Sequence, residues 1–367
     1  MRTPLLYISF GLIVLISAIA GCKKDDSEPT APFDRRAMLV NYGQNIIIPA
    51  VGIADASTAQ LNTAVTAFTA SPSETTLTAA RSAWQQAYLD FMKVNSFNFG
   101  PGGEAGLSKS ITEEAATWPA NTALIEANIA AGNSALNDFN RDNRGFHGID
   151  YLLFAEDAAT TVAAFADANR RAYLNAISNR LTNQMSAFNA AWNNGYLTTF
   201  TNNTGTDVGS STSQLYNEFV KSFEALKNFK VALPLGLRAG QTQTEPQLVE
   251  ARYSALSLAC LRAHHEALVD LWYGRNFAGT DGIGWREYIA SVNGGDALIA
   301  STEAQLAQID AALNALPDSP SLEAQIESNF DALNTLHTRL QQHTRFFKSD
   351  MSSLLGITIT FSSGDGD

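Results

Sequence analysis

Cysteine is nearly absent: the 367-residue chain carries two, Cys22 and Cys260. A disulfide-stapled scaffold is therefore excluded. Charge is sparse as well, at 16% of residues against about 25% in an ordinary soluble domain. Asn, Gln, Ser and Thr must supply much of the polar surface. Basic residues are the scarcer sign, with 24 Lys and Arg against 36 Asp and Glu and a net charge of −12. A nucleic-acid binder needs a basic face to displace counterions from phosphates, so that class is excluded. The sequence also lacks a glycine-rich phosphate loop, a Cys-x-x-Cys pair and a Gly-x-Ser-x-Gly elbow. No run alternates apolar and polar residues as a half-buried strand does. What remains is a chain with 45% hydrophobic residues, enough for a sizeable core and long enough for two domains or one duplicated one.

The N-terminus reads as an address. Arg2 gives a positive start, Leu5 to Ile19 is apolar, and Ile19-Ala20-Gly21-Cys22 follows. Charge, apolar run and small residues before a cysteine are the order of a bacterial lipoprotein signal. The reading is a signal peptide over 1–21, acylation of Cys22 and a lipid-anchored polar tether over 22–32. Several acyl chains exceed what stable membrane attachment requires. Lys23 rather than Asp follows Cys22, which points to an outer-membrane lipoprotein facing the periplasm or the cell surface. With Cys22 acylated, Cys260 has no intrachain partner.

From Phe33 the pattern is helical almost throughout, with apolar residues at i, i+3, i+4 and i+7. The clearest stretches are Leu39 to Phe68, Ala79 to Val94, Val162 to Trp192, Tyr216 to Val231, Leu248 to Tyr273, Ala297 to Leu316 and Leu322 to Phe347. Breaks are expected at Ser71-Pro72-Ser73, at Phe99 to Gly103, and at Leu233 to Gly236. Pro49 falls inside a helical pattern and should kink or end it. Asn202 to Gly209 is the best candidate for a loop between halves. The expected fold is all-α, as two packed four-helix-bundle-like halves. Their bounds are about 33–200 and about 210–353, with an extended C-terminal tail over 354–367.

Five histidines bear on chemistry: His147, His264, His265, His337 and His343. His265-Glu266 begins a zinc-peptidase motif, but Val269 stands where its second histidine belongs. Cys260 and His264 are four apart on one helix face, a spacing that could grip a soft metal, but Leu268 and Leu271 share that face and favour a core reading for both. His337 and His343 have no carboxylate three or four residues away and read as surface or interface residues. His147 differs. It lies in Arg144-Gly145-Phe146-His147-Gly148-Ile149-Asp150-Tyr151-Leu152-Leu153-Phe154. On a helix, His147 and Asp150 project from one face. A neutral imidazole beside a carboxylate suits iron or zinc, and equally orients a helix start. Two ligands do not make a site, so further donors would have to come from other helices. Gly145 and Gly148 each cost about 1 kcal/mol in a helix, which points to a close approach by another group.

This segment resembles the Gly-x-His-x-x-Glu signature of the imelysin family, with Asp150 in place of the usual Glu. Other pieces resemble the family in the same order. They are Asn45-Ile46-Ile47-Ile48-Pro49, the stretch from Trp84 to Pro101, Trp118-Pro119, Glu250-Ala251-Arg252-Tyr253-Ser254, and the closing Leu355 to Phe361. Asn95 stands where the family often has a Glu. The resemblance implies two related helical bundles with a site between them, extracytoplasmic placement, and a link to iron uptake. It implies one divalent metal, iron or zinc, at His147, Asp150 and Glu250, with Gly145, Asn95 and Ser254 beside them. Three functions follow. The first is a binding protein that captures a metal ion or metal chelate and passes it to an outer-membrane uptake partner. The second is a metallopeptidase of the imelysin type, in which a metal-bound water attacks a peptide carbonyl. The third is a surface structural or interaction lipoprotein with a degenerate site.

Overall fold

The computed structural model describes residues 32–106, 110–137, 139 and 141–361. The signal peptide, Cys22 and nearly all of the tether lie outside the described residues. Residues from Phe33 onward form one compact unit. Among the described residues there is no strand, and the fold is all-α.

The chain enters as α1 (Arg35–Val40), whose first turn is capped by the Asp34 carboxylate accepting from the Ala37 amide. A widened π-type turn, Asn41–Ile47, carries it into α2 (Ile48–Ala70). Pro49 therefore neither ends nor interrupts the helix. It sits in the first turn of α2, behind a wide turn that has no need of its missing N–H. Ser71-Pro72-Ser73 does break the chain, and Ser73 opens α3 (Glu74–Phe91) through a reciprocal cap with Thr76.

Then come α4 (Ile111–Ala116), α5 (Thr122–Ala130), α6 (Gly145–Phe154), α7 (Ala158–Ala164), α8 (Ala168–Ala191) and α9 (Leu197–Asn202). The expected helix from Val162 to Trp192 is thus two, because Asp167 caps a fresh start at α8. α2 packs along α3 and α8, and α6 fills the angle between α3 and α8.

After the loop at 203–210 come α10 (Ser211–Ala225), α11 (Ser257–Tyr273), α12 (Trp285–Ala290) and α13 (Gly295–Asn314). The last three are α14 (Leu322–Ser328), α15 (Phe330–Arg345) and α16 (Met351–Leu355). α10 runs on through a second widened turn, Leu226–Ala232. The expected helix from Leu248 to Tyr273 starts only at Ser257, because the preceding residues fold into turns with Ala251 and Ala255 at positive φ.

Long-range hydrogen bonds tie the widened turn after α1 to the later helices. Tyr42 donates its hydroxyl proton to the Leu271 carbonyl at 2.6 Å and accepts from the Trp285 amide at 2.9 Å. Residues 357–361 follow α16 without helix or strand and are held by Asn217, which donates to the Thr358 carbonyl at 3.0 Å and accepts from the Thr360 amide at 2.7 Å. The core is strongly aromatic: Trp84, Trp192, Trp272 and Trp285 are all fully buried. His343 is a correction to its reading as a surface or interface residue. Its ring is fully buried against Phe223, Phe346 and Phe347.

Candidate functional site

The site is built where α3, α6, the widened turn after α10 and the turns before α11 meet. Gly145 starts α6 at φ 65, and a Cβ there would lie 2.4 Å from the Ala115 carbonyl oxygen. Only glycine lets the start of α6 press so closely on α4. That approach places His147, two residues on, inside the molecule at 3% exposure.

Tyr88 on α3 joins the group. Its hydroxyl donates to Glu250 Oε1 at 2.5 Å and lies 2.9 Å from His147 Nε2. The phenol has one proton, which goes to the carboxylate, so His147 Nε2–H must be the donor to the phenol oxygen. Burial lowers the His147 pKa to about 4, which keeps the ring neutral. The second oxygen of Glu250 meets Lys230 Nζ at 2.8 Å. The same ammonium lies 3.2 Å from Met92 Sδ. Lys230 and Glu250 are 5% and 3% exposed. A buried charge pair of this kind holds only while both partners are present.

Asp150 faces elsewhere. Its two oxygens accept from the backbone amides of Tyr253 at 3.1 Å and Ser254 at 3.0 Å. Burial pushes its pKa up to about 7, against the opposing pull of those bonds. Ser254 itself donates its hydroxyl proton to the Ala251 carbonyl at 3.2 Å. The left-handed turns at Ala251 and Ala255, unfavourable for alanine, are thus clamped by a carboxylate from α6. That clamp fixes the turns that begin at Glu250.

Two cavities flank the network. One, of about 330 Å³, is lined by Asn95, Trp118, Lys221, Ser222, Phe229, Lys230, Glu250 and His264 among others. The other, of about 250 Å³, is lined by His147, Asp150, Arg252 and Tyr253, again with Trp118. Trp118 stands between the two, its ring centroid 5.8 Å from that of His147 and 6.5 Å from that of Phe229. In the first cavity, Ser222 Oγ and His264 Nε2 are 2.7 Å apart. Asn95 reaches this cavity too, with its amide 3.5 Å from the Met92 carbonyl.

A family model described as Peptidase M75, imelysin, matches residues 47–345. The chain belongs to the imelysin family. Among curated protein sequences none gives a significant match. Two solved structures share the fold. A protein designated an iron-regulated protein A precursor, from Parabacteroides distasonis, has a TM-score of 0.73 at 18% identity, over 88% of this chain and 96% of its own. An imelysin-like protein from Psychrobacter arcticum has a TM-score of 0.70 at 20% identity, over 89% and 97%.

For this imelysin the donor set can be tested against the metal that family resemblance implies. His147 Nε2 is bonded to the Tyr88 hydroxyl, one Glu250 oxygen accepts from that hydroxyl, and the other faces an ammonium. Both Asp150 oxygens hold backbone amides. Among the described residues no group of three or more His, Cys, Asp and Glu side chains is placed to hold a metal ion. A resident catalytic zinc needs three protein ligands and an open position, and these side chains do not fit it. The sequence pointed to His147, Asp150, Glu250, Gly145, Asn95 and Ser254. It missed Tyr88 and Lys230. The signal for Lys230 was a lysine set between Phe229 and the apolar run from Val231 to Leu235.

Proposed function

We propose that this imelysin is a lipid-anchored extracytoplasmic binding protein of iron acquisition, and that it takes iron as an organic chelate rather than as a bare ion. The observation that carries this reading is the pairing of an internally bonded network, which among the described residues offers no cluster of metal-ligating side chains, with an adjoining cavity. The cavity's 330 Å³ falls within the range that holds a small organic molecule. Its wall combines aromatic faces from Trp118 and Phe229, the ion pairs Lys221–Glu218 and Lys230–Glu250, the Glu113 carboxylate and the polar Ser222–His264 pair. Such a wall suits a ligand with apolar faces and polar edges. The lipoprotein signal supports placement at the outer membrane, facing the periplasm or the cell surface. The iron-regulated designation of the Parabacteroides protein supports the choice of iron. A surface interaction protein is the second reading, favoured by the same internal bonding of the carboxylates.

The test uses Trp118 as reporter. Titrating the chain from Phe33 to Asp367 with ferric citrate should quench tryptophan fluorescence saturably. The quenching should shrink in a Trp118→Phe variant. Ferric citrate that leaves the emission of both proteins unchanged, with no heat of binding, would reject chelate capture and leave the interaction protein.

A further inference from the structure

A third cavity, of about 360 Å³, is lined by none of the residues of the Tyr88–His147–Glu250 network. Its buried side is apolar, made by Ile46, Ala50, Phe97 and Leu271. One wall is the loop between α11 and α12, and that loop is built to hold its shape. Asn41 donates to the carbonyls of Gly274 at 2.8 Å and Ile283 at 3.1 Å, which draws the two ends of the loop together. Asn276 Oδ1 accepts from the amides of Ala278 at 2.9 Å and Thr280 at 3.1 Å. Arg275 donates to Asp281 at 2.7 Å and to one oxygen of Asp270 at 3.3 Å. Two charges in the cavity are left over. The Lys93 ammonium stands 4.6 Å from the centroid of the Phe277 ring and, among the described residues, pairs with no carboxylate. Glu266, one turn before Asp270 on α11, pairs with no basic group among them. Carboxylates one turn apart repel each other. Burial, with the Glu266 charge adding to it, pushes the Asp270 pKa up to about 6 against the pull of Arg275 and Lys93.

We propose that this cavity binds a zwitterion with an apolar side chain, a free amino acid or short peptide, its carboxylate at Lys93 and its ammonium at Glu266 and Asp270. The volume falls within the range that holds a small organic molecule. A ligand carrying only a cation would leave Lys93 unmatched and be repelled by it. A ligand carrying only an anion would face Glu266 and Asp270. A zwitterion answers both leftover charges at once, with a charge-assisted hydrogen bond at each end. Its ammonium also relieves the repulsion between the two carboxylates of α11. Phe277, 40% exposed at the rim, and the apolar buried side supply contact for the side chain. The pinned loop keeps this wall in place before the ligand arrives, which reduces the ordering cost of binding. This site is separate from the cavity assigned to the chelate and goes beyond that reading.

The experiment is calorimetric titration of the chain from Phe33 to Asp367 with L-phenylalanine and with the dipeptide Phe-Leu. At least one should bind saturably at one site per chain, and which of them binds tighter distinguishes amino acid from peptide. For an amino-acid ligand the single-charge analogues are 2-phenylethylamine, which lacks the carboxylate, and 3-phenylpropanoate, which lacks the amine. For a peptide ligand they are the same dipeptide with its carboxylate amidated or its amine acetylated. Each analogue should bind at least about tenfold more weakly than the zwitterion. Lys93→Met and Glu266→Gln, at exposed or half-buried positions, should fold with unchanged helicity and each lose at least about tenfold in affinity for the zwitterion. Lys93→Met should also cease to distinguish the zwitterion from the analogue without a carboxylate. Absence of binding by both zwitterions overturns the proposal. So do analogues that bind as tightly as the zwitterion, or a Lys93→Met protein whose affinity and discrimination are unchanged. Ferric citrate binding is measured at a different cavity and stands or falls by its own result.

Discussion

Glu250→Ala should lower the free energy of unfolding by about 3–5 kcal/mol, the cost of leaving one member of a buried ion pair alone. The substitution strands the Lys230 ammonium at 5% exposure beside the Met92 sulfur. It also removes the acceptor of the Tyr88 proton. The double variant Lys230→Met/Glu250→Gln should lose much less, since it leaves no uncompensated charge inside. Denaturant unfolding of Lys230→Met, Glu250→Gln and the double variant completes a thermodynamic cycle. A loss below about 1 kcal/mol for Glu250→Ala, the range of an exposed pair, would show that the pair is open to solvent. The network could then not exclude metal ions.

His343→Leu should flatten the acid limb of the stability curve. Burial among three phenylalanines lowers the His343 pKa to about 3, against about 6.5 in an unfolded chain. The unfolded state therefore takes up the proton first. The stability linked to this group is complete above about pH 6.5 and is lost as the pH falls toward 3, with a slope of up to about 1.4 kcal/mol per pH unit. Asp150, raised to about 7, acts in the opposite sense, because its unfolded form ionises first as the pH rises from about 4. Comparing wild type with His343→Leu cancels the Asp150 contribution and isolates the histidine. Both ring nitrogens of His343 lack a hydrogen-bond partner, so the variant should also be more stable at pH 7, by about 1–3 kcal/mol. Unfolding followed from pH 7 to pH 4 should show the two curves diverging below about pH 6. Parallel curves would mean that His343 reaches solvent in the folded protein.

These residues mark where the sequence was legible. Helix faces repeat every three or four residues, so the all-α fold could be read from Leu39 to Phe347. Gly145 and His147 stood out because a glycine-flanked histidine is out of place in a helix. The start of α11 was not legible, since Glu250 to Leu256 has an acceptable helical composition. Its left-handed turns are imposed by Asp150, about a hundred positions earlier. Tyr88 meets Glu250 across a separation of 162 residues, and no local pattern carries such a contact. His343 was misread for a related reason. A histidine without a nearby carboxylate is usually solvated, and only the aromatic packing of α10 and the residues after α15 makes it core.

The most direct test of the account is iron analysis by mass spectrometry on the chain from Phe33 to Asp367. The protein would be incubated with ferric citrate or with bare Fe(II), Mn(II) or Zn(II), then freed of unbound ligand. Chelate capture predicts about one iron per chain, retained together with citrate, from the first solution only. Stoichiometric retention of a bare ion, lost in a His147→Ala variant of equal helicity, would contradict it and make His147 a metal ligand.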